Sequence, residues 1–212
     1  MTPVPFSPDQ MKAHWETVYG SKAPTELSWY QRQPTRSLAL LEQLGVASSA
    51  IIDVGGGAST LVDALLDRGT AKITVLDISR AALDLTRARL GARAASVEWI
   101  EGDITRADLG AGARFDVWHD RAVFHFLTDP DDRRRYVAAA SHAIRPGGAA
   151  LIATFSPQGP QRCSGLTVMR YDPEQLAHEL GSEFSLERSA EELHHTPSGA
   201  EQAFTYAVLR RH

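Results

Sequence analysis

Several features that would place this sequence of 212 residues in a specialised class of protein are missing. The single cysteine, Cys163, excludes an intramolecular disulfide framework and any zinc site built from several cysteines. No apolar run approaches the roughly 20 residues that a membrane-spanning helix needs. The first residues show neither the positive charge nor the apolar stretch of an export signal. We therefore predict a cytoplasmic protein with no membrane partner.

An excess of positive charge is also missing. The chain has 22 lysine and arginine residues against 26 aspartate and glutamate residues, which gives a formal net charge of −4 at pH 7. A chain with this balance has no overall attraction for a polyanion, so we expect no nucleic-acid partner. At this length a single domain buries enough surface to be stable without a disulfide or a metal.

Short apolar runs alternate with helical patterns through the middle of the chain. The runs predict strands at 51–54, 73–76, 97–100, 115–119 and 149–155. Helices are predicted at 59–68, 79–90 and 131–144. This alternation favours a parallel sheet with helices on both faces. Two later strands, 184–189 and 203–210, have no helix between them, which predicts an antiparallel pair at the edge of the sheet.

Two segments flank this alternating region. Residues 1–10 contain three prolines and are predicted to form an extended lead-in. Helical patterns follow at 9–19, 35–44 and, in the tail, 172–180. We therefore predict one domain over 1–212. Its parts are an N-terminal helical lid, a core, and a C-terminal helix with a strand pair, at 1–45, 46–155 and 156–212.

A glycine-rich loop follows the first predicted strand. Gly55, Gly56 and Gly57 stand between that strand and a helix, where glycines let the backbone approach a ligand and helix N–H groups point at it. The loop matches the first half of the dinucleotide pattern GxGxxG, but Thr60 occupies the place of the third glycine. The loop by itself does not identify a ligand.

Three aspartates stand at the carboxyl ends of the first three strands. Asp53 precedes the glycines, where a carboxylate suits a ligand with an ammonium group and would repel a pyrophosphate. Asp77, about 20 residues beyond the loop, suits hydrogen bonds to both ribose hydroxyls. Asp103 can accept a hydrogen bond from the exocyclic amine of adenine. Each could instead be a turn or helix-cap residue, but three such placements along one sheet edge favour a binding site.

Five motifs in order resemble those of the class I S-adenosylmethionine-dependent methyltransferases. They are Asp53-Val54-Gly55-Gly56-Gly57, Val75-Leu76-Asp77-Ile78-Ser79, Gly102-Asp103-Ile104, Phe115-Asp116-Val117-Trp118 and Arg145-Pro146-Gly147-Gly148. The resemblance implies an α/β fold, a Rossmann-like αβα sandwich with a seven-stranded, mostly parallel sheet. It also implies the strand order 3-2-1-4-5-7-6 with an antiparallel last strand. The implied protein is an enzyme that uses S-adenosyl-L-methionine as its cofactor.

The resemblance also implies roles for single residues. The Gly55–Gly57 backbone would lie beside the methionyl and ribose parts of the cofactor, with Asp53 near the ammonium group. Asp77 would bind the ribose hydroxyls, beside Ile78. Asp103 would bind the adenine amine, and Ile104 would form a wall against the adenine ring.

Aromatic residues are dense in the predicted lid. Flat rings can close over a sulfonium with favourable cation–π contact, and we place Tyr30 among the cofactor-binding residues on this basis. The other aromatic residues of the segment are Trp15, Tyr19 and Trp29. Packing of an N-terminal helix on the sheet edge is the alternative interpretation. No metal is predicted.

Residues that act on the methyl acceptor are expected at the end of the fourth strand. We predict that Asp120 lies at the reaction centre, where it steers a cationic acceptor or takes a proton, with His119 as a second catalytic candidate. Asp120 could instead cap a short helix or pair with Arg121. His119 could instead be a hydrogen-bonded core residue.

The acceptor class follows from the rest of the chain. A compact chain without a separate recognition domain favours a small-molecule acceptor. A protein acceptor is the alternative, because Asp120-Arg121 and the aromatic N-terminus are similar to the citrate-synthase and elongation-factor lysine methyltransferases. A nicotinamide-dependent oxidoreductase and a non-catalytic S-adenosylmethionine-binding protein are alternatives of other classes. Monomer and homodimer both stay open.

Overall fold

In a computed structural model that describes residues 6–112 and 114–212, seven strands form one sheet. The described residues contain nine strands in all. In chain order they are β1 (Ala50–Val54), β2 (Lys72–Asp77), β3 (Val97–Glu101), β4 (Phe115–Arg121), β5 (Ile144–Phe155), β6 (Arg162–Cys163), β7 (Leu166–Thr167), β8 (Phe184–His195) and β9 (Glu201–Arg211). Strands β6 and β7 form a separate antiparallel hairpin. The sheet has the order β3-β2-β1-β4-β5-β9-β8, which is the predicted order once the hairpin is left out of the numbering.

The direction of the strands also agrees with the prediction. Strands β1 to β5 run parallel, and β9 runs antiparallel to both of its neighbours, β5 and β8. In the parallel part, Asp53 of β1 pairs with Val75 on one side and with His119 of β4 on the other. The carboxyl ends of β1 to β4 therefore meet at one edge of the sheet.

Helices cover both faces of the sheet. They are α1 (Pro8–Ser21), α2 (Thr35–Gln43), α3 (Leu61–Asp67), α4 (Arg80–Leu90), α5 (Pro130–Ala143) and α6 (Pro173–Leu180). Their ends differ from the predicted ones by no more than two residues. The first helix begins at Pro8 and is capped by Ser7, so the extended lead-in is shorter than predicted; its residues 1–5 lie outside the described part of the chain.

The core lies on both sides of the central strands. Ile51 of β1 packs in a cluster with residues of α2, α3 and α4, and the next residue, Ile52, packs in a second cluster with residues of α5 and α6. Because both faces of β1 are covered, the strand is apolar throughout except for Asp53. None of the helices described here combines the length and the apolar character that crossing a membrane requires.

Three features of the strands were not predicted. The β6–β7 hairpin turns through Ser164 and Gly165, both with positive φ, and its strands are too short to give a pattern in the sequence. The terminal pair β8 and β9 is longer than predicted, since the polar side chains at its ends do not match an apolar run. Strand β4 continues to Arg121, two residues beyond the predicted end at His119, so Asp120 lies inside it and not after it.

Candidate active site

Two adjoining cavities lie at the carboxyl edge of the sheet. The large cavity has a volume of about 440 Å³ and the small cavity about 50 Å³. Both are lined by Tyr19, Trp29, Val54, Gly55 and Arg121. Open α/β sheets bind their ligands at this edge. The two cavities together are therefore the candidate site.

The small cavity contains a buried carboxylate with an unused oxygen. Asp53 is 2% exposed, and its Oδ1 lies 2.7 Å from Nδ1 of His119. Its Oδ2 is buried and has no hydrogen-bond partner among the described residues. A buried anionic oxygen without a donor is costly, and a cationic N–H group from a ligand would offset that cost. Asp53 therefore suits the ammonium group that the sequence predicted for it.

Each of the three loop glycines lies where an added Cβ atom would collide with a neighbouring side chain. A Cβ atom at Gly56 would collide with the Asp53 carboxylate, and one at Gly57 would collide with the Asp77 carboxylate. Gly55 has a φ of +69°, and a Cβ there would collide with the side chain of Val123. The loop therefore has space for carboxylates and a ligand, and no space for side chains of its own.

Asp77 is held at the end of β2 on the wall of the large cavity. Its Oδ2 accepts a hydrogen bond of 3.0 Å from the Gly57 N–H, and its Oδ1 accepts one of 2.8 Å from Ser79. Burial raises the pKa of this carboxyl to about 7. Each carboxylate oxygen keeps a second lone pair, so the group can also accept from the two hydroxyls of a ribose.

Asp103 and Ile104 form the neighbouring part of the same wall. Oδ1 of Asp103 accepts from both the N–H and the hydroxyl of Thr105, at 2.9 and 2.8 Å, which leaves Oδ2 available to an amine. Ile104 is 4% exposed and lines the large cavity, as does Ile78. The residues predicted for the ribose and adenine are therefore together on one wall of this cavity.

The predicted lid covers the cavities with aromatic rings. The indole of Trp15 packs edge-on against Trp29 and Phe126, with ring centroids 5.6 and 5.2 Å apart. Tyr30 lines the small cavity only, and so lies on the side of Asp53. Helix α1 is held over the sheet edge by Glu16, whose carboxylate accepts the first N–H groups of α4, from Arg80 and Ala81, at 2.7 and 3.2 Å.

Asp120, which we predicted at the reaction centre, lies away from both cavities. Asp120 is fully buried and lines neither cavity. Its carboxylate accepts from the N–H groups of Val123 and Phe124, at 2.8 and 3.0 Å, and from the hydroxyl of Tyr136 at 2.6 Å. The cause is the alternation of side chains along β4, which turns Asp120 towards α5. Burial raises its pKa to about 6.

His119 faces the other side of β4, and it too is buried. It lines the small cavity, where Nδ1 contacts Asp53 and Nε2 lies 2.9 Å from the hydroxyl of Ser37 in α2. The structure brings His119 to the predicted ammonium site and leaves it out of the large cavity. Both ring nitrogens of His119 therefore have hydrogen-bond partners inside the protein.

Arg121 lines both cavities, and the sequence analysis assigned it no role in the site. It donates to the hydroxyl of Tyr206 at 3.0 Å and to the Trp29 carbonyl at 3.3 Å, and it pairs with Glu192 at 3.3 Å. Its guanidinium also lies over the Phe204 ring, 4.3 Å from the centroid. These partners come from distant parts of the chain, so no local motif indicates them.

Comparison with known proteins agrees with this geometry. A family model described as a methyltransferase domain matches residues 51–148. The chain is similar to the ubiquinone biosynthesis O-methyltransferase of Saccharophagus degradans, with 24% identity over 70% of this chain and 59% of the relative. It is also similar to the cypemycin N-terminal methyltransferase of a Streptomyces species, with 29% identity over 54% of this chain and 45% of the relative. The chain thus spans about half the length of these relatives.

A solved structure shares the fold along the whole chain. It is the Burkholderia thailandensis 1,6-didemethyltoxoflavin-N1-methyltransferase, solved with 1,6-didemethyltoxoflavin and S-adenosylhomocysteine bound. The TM-score is 0.71 at 20% identity, and the match covers 100% of this chain and 93% of that chain. At this identity the likeness shows the fold alone.

Proposed function

We propose that the chain, whose residues 51–148 match a methyltransferase-domain model, is a class I S-adenosylmethionine-dependent methyltransferase that transfers a methyl group from this cofactor to a small-molecule acceptor. The observation that carries the proposal is the unpartnered Oδ2 of Asp53 beside the carboxylates of Asp77 and Asp103 at one sheet edge. That arrangement supplies an acceptor for each donor group of S-adenosylmethionine, namely its ammonium, its ribose hydroxyls and its adenine amine.

The residues of the chain fit the cofactor in a definite order. Asp53 would bind the ammonium group in the small cavity, with Gly55 and Gly56 beneath the methionyl part. Asp77 would hold the ribose, and Asp103 with Ile104 would hold the adenine in the large cavity. When bound, the cofactor supplies an already activated methyl group, so the task of the chain is to orient donor and acceptor and to exclude water.

A flat, largely apolar acceptor suits the remaining part of the large cavity. Trp15, Trp29 and Phe126 line it, and the 440 Å³ volume is that of a small-molecule pocket. The names of two similar proteins agree with this choice, since one is a ubiquinone biosynthesis O-methyltransferase and the other a 1,6-didemethyltoxoflavin-N1-methyltransferase. A lysine side chain of a protein, the alternative from the sequence, finds no such support, while the name of the cypemycin N-terminal methyltransferase points to an N-terminus as the acceptor of that relative. The cytoplasmic location, the division into lid, core and tail, and the oligomeric state stay predictions from the sequence.

We also propose a structural role for Asp120 in place of the catalytic one. Its carboxylate holds the N–H groups of Val123 and Phe124, and Val123 packs directly over Gly55. Ala122, between the strand and this turn, has a φ of +75°, which is unfavourable for a residue with a side chain. Asp120 therefore holds a strained turn against the glycine loop.

The proposed function is tested by incubating the protein with methyl-labelled S-adenosylmethionine and a cell lysate, and separating the products by size. We expect label in the small-molecule fraction, and none there with the Asp77→Ala variant, which loses the ribose contacts and whose folding is checked by thermal melting. Label on a single protein band would show a protein acceptor and overturn the small-molecule assignment. No transfer to either fraction, with cofactor binding intact, would favour a non-catalytic binding protein.

A further inference from the structure

The ring of His119 connects the ammonium site to helix α2. It is 3% exposed, with Asp53 Oδ1 2.7 Å from Nδ1 and the Ser37 hydroxyl 2.9 Å from Nε2. A carboxylate only accepts hydrogen bonds, so the network assigns the ring hydrogen to Nδ1 and lets Nε2 accept from Ser37. The three side chains form one buried hydrogen-bonded chain, and Ser37 fixes the orientation of the ring.

This chain determines which oxygen of Asp53 is left for a ligand. Oδ1 is engaged by His119, while Oδ2 is buried and has no partner among the described residues. Oδ2 occupies the space next to Gly56 where a Cβ would otherwise be. The carboxylate therefore presents one oxygen at a fixed place over the glycine loop.

We propose that His119 is a positioning residue for the cofactor, which acts through Asp53 to hold Oδ2 ready for the ammonium group of S-adenosylmethionine. The inference rests on the proposed function and adds to it a residue that contacts neither the methyl group nor the acceptor. The hydrogen bond to Oδ1 restricts rotation of the Asp53 carboxylate, so Oδ2 stays in place beside Gly56. Without that bond the carboxylate is free to rotate, and the ammonium group then meets an oxygen that is not held in position.

Three adenosine ligands separate this role from a general effect on the site. S-Adenosylhomocysteine has both the amino and the carboxyl group of the methionyl part. S-Adenosyl-3-thiopropylamine keeps the amino group alone, and 5′-methylthioadenosine has neither. Binding of each ligand is measured by calorimetry for the wild type and for two variants. His119→Phe keeps an aromatic ring and removes the donor, and His119→Asn has an amide that can still donate to Asp53.

We expect His119→Phe to weaken the two amino-containing ligands about tenfold, which is about 1.4 kcal/mol. Binding of 5′-methylthioadenosine should change less than about twofold, because that ligand makes no contact with Asp53. His119→Asn should restore most of the lost affinity. Thermal melting of each variant shows that the protein under test is folded.

Other outcomes separate the two proposals. An equal loss for all three ligands in His119→Phe, or no loss for any, would overturn the positioning role, since the effect would then not depend on the ammonium group. Failure of His119→Asn to restore binding would also contradict it. A folded wild type that binds none of the three ligands would instead overturn the proposed function.

Discussion

The hydroxyl of Tyr136 donates a hydrogen bond of 2.6 Å to Oδ2 of Asp120 in the interior of the protein, on the side of β4 that faces away from the candidate site. The same hydroxyl accepts a hydrogen bond of 2.8 Å from the indole of Trp118. The network holds the turn after β4 in place. It gives Asp120 a structural explanation that involves no contact with a substrate.

We predict that Asp120→Ala acts mainly on stability. The substitution leaves the N–H groups of Val123 and Phe124 and the Tyr136 hydroxyl without their buried acceptor, so the free energy of unfolding should fall by about 2–4 kcal/mol. Tyr136→Phe, which leaves the Asp120–backbone bonds intact, should cost about 1–2 kcal/mol. Urea denaturation at pH 7 measures both values.

A further variant, Asp120→Asn, tests the catalytic role that the sequence predicted for Asp120. If Asp120 holds the turn, methyl transfer by Asp120→Asn should fall in proportion to the loss of S-adenosylhomocysteine affinity. A variant that binds the cofactor as the wild type does but transfers no methyl group would return Asp120 to the reaction centre.

We predict that cofactor binding weakens as the pH falls below 7. The ionised Asp77 accepts from the ribose hydroxyls, and its pKa in the free protein is raised to about 7 by burial. Because hydroxyl donors favour the anion, binding lowers that pKa and releases roughly half a proton at pH 7. Calorimetry of S-adenosylhomocysteine in buffers with different ionisation enthalpies measures the proton count. Uptake of a proton on binding would contradict this assignment.

The free energy of unfolding should depend on pH in the opposite sense, through the carboxyls of Asp77 and Asp120. The folded-state pKa values of Asp77 and Asp120, about 7 and about 6, both lie above the usual 3.8. The folded protein therefore binds more protons than the unfolded chain between about pH 4 and 7, and these groups make stability fall as the pH rises through that window. Above pH 7 their contribution is constant. Denaturant titrations of the wild type and Asp77→Asn at pH 5 and 8 check the sign: the loss of stability from pH 5 to 8 should be smaller in Asp77→Asn.

A Cβ at the glycine loop should abolish cofactor binding. Gly56→Ala would collide with the Asp53 carboxylate, so we expect the affinity for S-adenosylhomocysteine to fall about a hundredfold or more. Gly20→Ala is the matched control, because Gly20 lies in helix α1 with no atom within 4 Å of the added Cβ. The control should keep its affinity and gain about 0.5–1 kcal/mol of stability. Equal binding by the two variants would contradict the geometry of the loop.

Helix α1 should depend on Glu16 for its position. Glu16→Gln removes the charge that accepts two N–H groups at the start of α4, where a helix favours an anion. We expect faster amide hydrogen exchange along α1 and a threefold to tenfold weaker affinity for S-adenosylhomocysteine, roughly the effect of one such charge. Asp9→Asn, in the exposed first turn of the same helix, is the control. Unchanged exchange in Glu16→Gln would show that other contacts hold the helix.

The cofactor-binding half of the site was predictable because it depends on local rules. Each of Asp53, Asp77 and Asp103 follows an apolar run, and parallel strands bring their carboxyl ends to one edge, so strand positions and topology were enough. The sheet order and the antiparallel last strand, which the family resemblance implied, are also confirmed.

The acceptor half depends on details that a single sequence does not contain. Strand β4 runs to Arg121, two residues beyond the predicted end, and its alternation sends Asp120 to α5 and His119 to α2. The partners of His119 and Arg121, such as Ser37 and Glu192, lie far away along the chain. Their contacts arise from packing and leave no spacing to recognise.

The central claim is that the site at the sheet edge binds S-adenosylmethionine. It is tested most directly by comparing the binding of two nucleotide cofactors. Calorimetric titration of the wild type with S-adenosylhomocysteine and, separately, with NADH compares a ligand that carries an ammonium group with one that carries a pyrophosphate. Oδ2 of Asp53, which has no hydrogen-bond partner in the described part of the chain, lies beside the glycine loop. It predicts binding of S-adenosylhomocysteine with a Kd of roughly 1–100 μM and no measurable binding of NADH. Binding of NADH without binding of S-adenosylhomocysteine would contradict the account.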